Sequence, residues 1–242
     1  MLLASLSPDF AAAQVVPKDD KRLKTQMLEY PSPNGSGTMK GYLAVPANAS
    51  GKLPGILVVH ENRGLNPHIE DIARRLALDN FVAFAPDALT PLGGYPGDED
   101  KARELFSKLD QAKTREDFVT AAQVLQSRPE CTGSIGAVGF CYGGGMVHIL
   151  STRLPNLAAG VPFYGNHPPA SEAAKVKAPL LIHFAGIDER INAGWPPYEA
   201  ALKAAIKAND PALIEVPFKL DEFPSPWKHL MNVPKMRGPD AK

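Results

Sequence analysis

The stretch Gly139-Phe140-Cys141-Tyr142-Gly143-Gly144-Gly145, "GFCYGGG", decides how the rest of the chain is read. It follows "SIGAV" (134–138) and runs into "MVHILS" (146–151). A short apolar run bounded by glycines predicts a buried strand over 134–139, and the residues after it predict a helix over 142–151. The spacing G-x-C-x-G is the cysteine form of the G-x-S-x-G nucleophile elbow. There, a sharp strand-to-helix turn pushes one side chain out over the edge of a sheet. So tight a bend needs small neighbours, and Gly139 and Gly143 supply them. The competing reading is a buried structural cysteine in a glycine-rich turn.

Outward from this point, strands and helices alternate. "GYLAVP" (41–46), "GILVVH" (55–60), "FVAFAPD" (81–87), "AAGVPFYG" (158–165), "APLLIHFAG" (178–186) and "ALIEVPF" (212–218) predict strands. Several are apolar throughout, as strands covered on both faces must be. Ile69, Ile72, Ala73, Leu76 and Ala77 recur at helical spacing, and "DEDKARELFSKL" (98–109) carries acids at its start, where a helix dipole favours them. Thr114-x-x-Asp117 has the form of a capping box opening a helix with Phe118, Ala121, Ala122 and Leu125 on one side. "WPPYEAALKAAIKA" (195–208) predicts a further helix. The alternation predicts an α/β fold with one doubly wound, mainly parallel sheet. "YPSPNGSG" (30–37) reads as turn chemistry. The expected organisation is an irregular leader or export-signal remnant over 1–25, the α/β domain over 26–218, and an atypical tail over 219–242. The leader leaves two expected compartments: cytoplasmic as the chain stands, periplasmic if an upstream export signal has been lost.

Composition narrows the partners. Apolar residues make up 44% and charged residues 21% of 242 residues, which suits an ordinary globular domain. Lys plus Arg and Asp plus Glu are 26 each. Nucleic acid and acidic membranes select a basic excess, which is absent, so a small-molecule partner is expected. No window approaches the roughly 18 apolar residues of a membrane span. The predicted strand holds Cys131 and Cys141 about 20 Å apart, beyond the ~7 Å a disulfide allows, so both are expected to be free thiols.

In open α/β sheets, ligands sit at the carboxyl ends of the strands, where Cys141 is placed. A helix N-terminus at its sulfur favours thiolate over thiol. An elbow calls next for an acid after a later strand, and Asp188 in "LLIHFAGIDERI" occupies that place. The oxyanion hole is expected from the backbone N–H of Tyr142 and an N–H from the loop "VVHENRGLN", at whose start Glu61 and Asn62 stand. Arg63 is a candidate carboxylate contact. Tyr95, Tyr164 and Trp195 are candidate pocket aromatics.

These residues together resemble the dienelactone hydrolase (carboxymethylenebutenolidase) family of α/β-hydrolases, from about Tyr30 to about Leu202. The motifs are "VVHENRGLN", "APD" with "GGYPG", "GFCYGGG", "VPFYG" and "HFAGIDERIN". The resemblance implies Cys141 as nucleophile, Asp188 as triad acid, and Glu61 as the glutamate that meets the resting thiol. It implies Asn62 as second oxyanion donor, and Tyr95 and Tyr164 near the substrate. It also implies cleavage of esters or lactones through an acyl-thioester, without metal or organic cofactor. The chain departs from the family after its last strand. The expected "PG-x-x-HGF" type motif and long terminal helix are replaced by "FPSPWKHLMNVPKMRGPDAK", whose prolines forbid a long helix. His229 is the candidate base, being nearest in chain order. His167 stands at the same sheet edge, His60 and His183 lie in strands, His148 lies two turns down the elbow helix, and His68 is expected at an exposed helix start.

Loss of the family histidine motif predicts slow release of the acyl group, and loss of the helix predicts a partly bare sheet face prone to self-association. A catalytically inactive scaffold and a thiol-redox protein remain as alternatives; the latter lacks a nearby resolving cysteine.

Overall fold

The computed structural model describes residues 14–185, 188–209 and 213–218. Eight strands form one sheet: β1 (Leu23–Ser32), β2 (Gly37–Pro46), β3 (Leu53–Val59), β4 (Val82–Pro86), β5 (Cys131–Phe140), β6 (Leu157–Phe163), β7 (Leu180–Ala185) and β8 (Leu213–Phe218). Their spatial order is β1-β2-β4-β3-β5-β6-β7-β8. β1 and β2 form an antiparallel hairpin, and β2 pairs antiparallel with β4. Every later pairing is parallel.

The helices are α1 (Pro67–Leu78), α2 (Glu99–Phe106), α3 (Gln111–Ser127), α4 (Tyr142–Arg153), α5 (Glu189–Asn192) and α6 (Trp195–Asn209). Alternation along the strands divides the core. Leu57, Val59, Phe84 and Ala137 meet Phe118, Leu125, Met146 and Leu150 of α3 and α4. Their neighbours Val58, Ala83 and Ala85 meet Ile69, Ile72, Ala73 and Ala77 of α1. Side chains of successive strand residues face opposite ways, so helices on both faces make a doubly wound α/β fold. Trp195, Tyr198 and Leu202 of α6 pack with Leu180, Ile182 and Phe184 in a third cluster.

Three expectations are corrected. Residues 23–25 are not irregular: β1 begins at Leu23 and runs through Pro31, leaving only 33–36 as the turn. Proline is tolerated there because β1 is an edge strand. Ahead of it, Val16 is buried, bonded through its N–H to Asp71 and through its carbonyl to the buried Arg74. Thr114 and Asp117 do not open α3. Asp110 does, its carboxylate accepting from the N–H groups of Ala112 and Lys113. Asp117 instead accepts from the N–H and hydroxyl of Ser36 at 2.8 and 2.6 Å, tying α3 to the β1–β2 turn. His68 is buried rather than exposed. The 219–242 tail, the expected lack of a long terminal helix, His229 and residues 1–13 of the leader lie outside the described residues.

Candidate active site

The elbow forms at the carboxyl end of β5. Cys141 is the N-cap of α4 and holds φ 53°, ψ −111°. A non-glycine residue in the left-handed half of the map is strained and persists only where its surroundings enforce it. The surroundings are backbone. A β-carbon on Gly139 would lie 2.1 Å from the Gly143 carbonyl oxygen, and one on Gly143 would lie 2.2 Å from that of Val59. Only glycine lets β5, α4 and β3 approach so closely. The Cys141 N–H donates to Phe163 O at 3.0 Å, and the Tyr164 N–H donates to His183 O at 2.7 Å, lacing the ends of β5, β6 and β7 together.

Cys141 is half-buried and opens on a cavity of about 650 Å³. Asn62, Tyr142 and Tyr164 share its wall. The side of α4 that carries Met146, Ile149 and Arg153 extends it, opposite Phe106 and Arg115, with Asn166, His167 and Arg190 at the remaining edge. Tyr164 donates its hydroxyl to Glu61 at 3.2 Å, so the carboxylate stands behind the cavity wall within electrostatic reach of the sulfur.

The electrostatics differ from the expectation of a thiolate. Burial, and then the Glu61 carboxylate, push the Cys141 thiol upward. The Tyr142 backbone N–H, Arg190 and Arg63 pull the other way and are outweighed. The helix end is present, but desolvation disfavours the anion more strongly. Burial raises Glu61 as well, against its bond from Tyr164 and the nearby Arg63.

Other expected residues are placed elsewhere. Arg63 is held by Glu99 at 3.1 Å and by the Asn62 side chain. Tyr95 lies outside the cavity wall, with its hydroxyl on the same Glu99 at 3.4 Å. Glu99 also accepts from Asn66, so it knits the 61–66 loop to α2. Trp195 packs against Phe184 and the ring of His167, whose Nε2 bonds Ile191 O at 3.0 Å. Asp188 follows β7 and caps α5, accepting from the Ile191 N–H at 3.0 Å. His148 is fully buried beside Tyr198. Cys131 is a free, buried thiol, as the strand length required. Among the described residues, no group of three or more His, Cys, Asp or Glu side chains is gathered to hold a metal ion, and no helix is long and apolar enough to cross a membrane.

The sequence reading missed Arg115, Arg153, Arg190, Asn166 and Phe106. They come from α2, α3, α4, α5 and the loop after β6, so only the folded chain brings them to one wall. The local signal for Arg153 was its place three turns after Cys141 on the same helix.

The model of the dienelactone hydrolase family matches residues 39–216. A hydrolase fragment from Escherichia coli K12 is 52% identical over 105 residues, covering 43% of this chain and 90% of that protein. A Saccharolobus solfataricus protein named as a carboxymethylenebutenolidase is 31% identical over 200 residues, covering 68% and 76%. The chain spans 90% of the length of the Escherichia coli fragment and 59% of a Methylorubrum extorquens relative. A Klebsiella pneumoniae crystal structure titled as a dienelactone hydrolase superposes with a TM-score of 0.67 at 28% identity, covering 81% of this chain and 85% of that one. The chain belongs to the dienelactone hydrolase family.

Proposed function

We propose that this chain is a hydrolase of small carboxylic esters or lactones that works by acyl transfer to Cys141. The observation that carries the reading is the enforced left-handed turn at Cys141, which sets this residue in the wall of a cavity of about 650 Å³ beside Asn62 and Tyr142. The sulfur attacks the ester carbonyl as it gives up its proton, which is passed on to the leaving alkoxide. A carbon–sulfur bond forms, and the N–H groups of Tyr142 and Asn62 receive the developing oxyanion. Collapse breaks the bond to the leaving alkoxide, which takes up a proton. Water then hydrolyses the thioester and returns the thiol. Asp188 serves to orient and stabilise an imidazolium, with His229 as the base that activates this water. Burial and the Glu61 carboxylate, itself held by the Tyr164 hydroxyl, keep the resting sulfur protonated. Arg63, Tyr95 and Trp195 support the walls through Glu99 and His167 and make no contact with substrate.

The replaced terminal motif supports one further statement: thioester hydrolysis is the slow step. In a stopped-flow assay with p-nitrophenyl acetate, a burst of one equivalent of p-nitrophenol followed by a slower steady state is expected. Cys141→Ala should abolish both phases, and Cys131→Ala should keep both. Full hydrolysis by Cys141→Ala would overturn the assignment; brisk turnover with no burst would overturn the slow step.

A further inference from the structure

The imidazole of His60, just past β3, has no place in the steps above, yet it is fully buried at the edge of the site. Its ring is packed edge-on against Phe106 at 6.2 Å and Phe118 at 5.8 Å. Its two nitrogens have different neighbours. Nε2 lies 3.1 Å from the backbone N–H of Ala88. A backbone N–H only donates, so Nε2 must be the unprotonated acceptor. The ring proton of the neutral imidazole is therefore on Nδ1, which faces the carbonyl of Glu61.

That carbonyl belongs to the same peptide unit as the N–H of Asn62. In a planar trans peptide the C=O and N–H point in opposite directions, and the described residues contain no cis peptide. Whatever fixes the Glu61 carbonyl fixes the direction of the Asn62 N–H, and Asn62 lines the Cys141 cavity. The other side of the clamp is also anchored. Asp87, next to Ala88, accepts from Leu89 N–H at 3.0 Å, Leu65 N–H at 3.2 Å and Tyr95 N–H at 3.1 Å. The ring thus references the 61–66 loop to a backbone segment that is itself held in place.

We propose that His60 is a positioning residue: by donating from Nδ1 to the Glu61 carbonyl and accepting the Ala88 N–H at Nε2, it holds the Glu61–Asn62 peptide so that the Asn62 N–H meets the oxyanion. The proposal rests on the reading of Cys141 as acyl acceptor. Only an imidazole spans both partners. An asparagine amide reproduces a donor at the Nδ1 position, whereas a glutamine amide reaches toward the Nε2 position and leaves the Glu61 carbonyl without its donor.

The experiment compares two reactions of the same sulfur in His60→Gln and His60→Asn. Acylation by p-nitrophenyl acetate develops an oxyanion; alkylation by iodoacetamide, a displacement at saturated carbon, develops none. His60→Gln should lower the acylation rate constant by at least about tenfold, toward the roughly 10²–10³-fold known for loss of one oxyanion donor. Its alkylation rate should stay within about twofold. His60→Asn should restore acylation to within a few-fold of the unsubstituted protein. Equal loss of both reactions, unimpaired acylation in His60→Gln, or His60→Asn as slow as His60→Gln would each overturn the proposal. The unsubstituted protein gives a check that needs no variant: long-range ¹H–¹⁵N spectra should show His60 as the Nδ1–H tautomer, and an Nε2–H tautomer would overturn it. Ester hydrolysis surviving Cys141→Ala would instead defeat the underlying reading, so the two failures are separable.

Discussion

At the scale of single residues, Cys141 and Glu61 are coupled through space. The carboxylate is the second cause, after burial, of the raised thiol pKa. Replacing it with a neutral isostere removes a like-charge repulsion against the thiolate. Glu61→Gln should therefore move the pH profile of iodoacetamide alkylation downward and speed alkylation at neutral pH. An unchanged or upward-shifted profile would show that Glu61 does not restrain the sulfur. The elbow cysteine was legible because its meaning is carried by glycine spacing within seven residues. The thiol pKa was not. A helix N-terminus can be read from sequence, whereas the carboxylate and the depth of burial arrive from other parts of the fold. Asp188 does stand just after β7, where the sequence puts it, but its described partner is the Ile191 N–H, and its place in a triad belongs to the proposal.

At the scale of elements, the approach of β5, α4 and β3 leaves no room for a methyl group at Gly143. The obstructing atoms are backbone carbonyls of Val59 and His60, which cannot rotate away. Gly143→Ala should cost about 1–3 kcal/mol, as overpacking does, and should displace Cys141 so that acylation falls more than stability alone explains. A melt and acylation rate matching the unsubstituted protein would contradict this packing. Toward the β1–β2 edge of the sheet, Asp117→Ala removes the acceptor for Ser36 and should cost about 1–3 kcal/mol by urea unfolding, while leaving the Cys141 alkylation rate unchanged. Loss of less than a few tenths of a kcal/mol would show that this tie is unimportant. Its role was hidden in the sequence because Thr114-x-x-Asp117 imitates a capping box three residues inside a helix already capped by Asp110. β1 was likewise hidden, since Pro31 and the following Asn-Gly look like one long turn until the hairpin register Pro31↔Thr38 is seen.

At the scale of the whole molecule, the alternating pattern was enough to give the layers and the parallel sheet. It could not show which helix faces meet across the cavity, so the arginine-bearing wall was invisible until the chain was folded. The fold also carries a cost in acid. Burial drives His148 down to about 3 and His183 down to about 4, from ordinary values near 6.5. A buried ring held neutral has a folded pKa below its unfolded one. Its contribution is therefore complete above about pH 6.5 and is lost as pH falls from there toward 3. Between pH 6 and 4.5, a ring that stays neutral in the fold while it is charged in the unfolded chain should cost on the order of 1 kcal/mol per pH unit, and the fully buried His148 should show this most clearly. In urea unfolding, His148→Gln should be less steeply destabilised by acid than the unsubstituted protein by about that amount. Parallel slopes would mean that His148 takes up its proton within the fold.

The most direct measurement is rapid-quench mass spectrometry after mixing with p-nitrophenyl acetate, followed by peptide mapping. The two thiols are an internal contrast: one lines the cavity, and the other is buried at the start of β5. An acetyl group on the peptide containing Cys141, formed at the rate of the p-nitrophenol burst and absent from the Cys131 peptide, is the expected result. Burst and turnover with no acyl group ever found on Cys141 would contradict it.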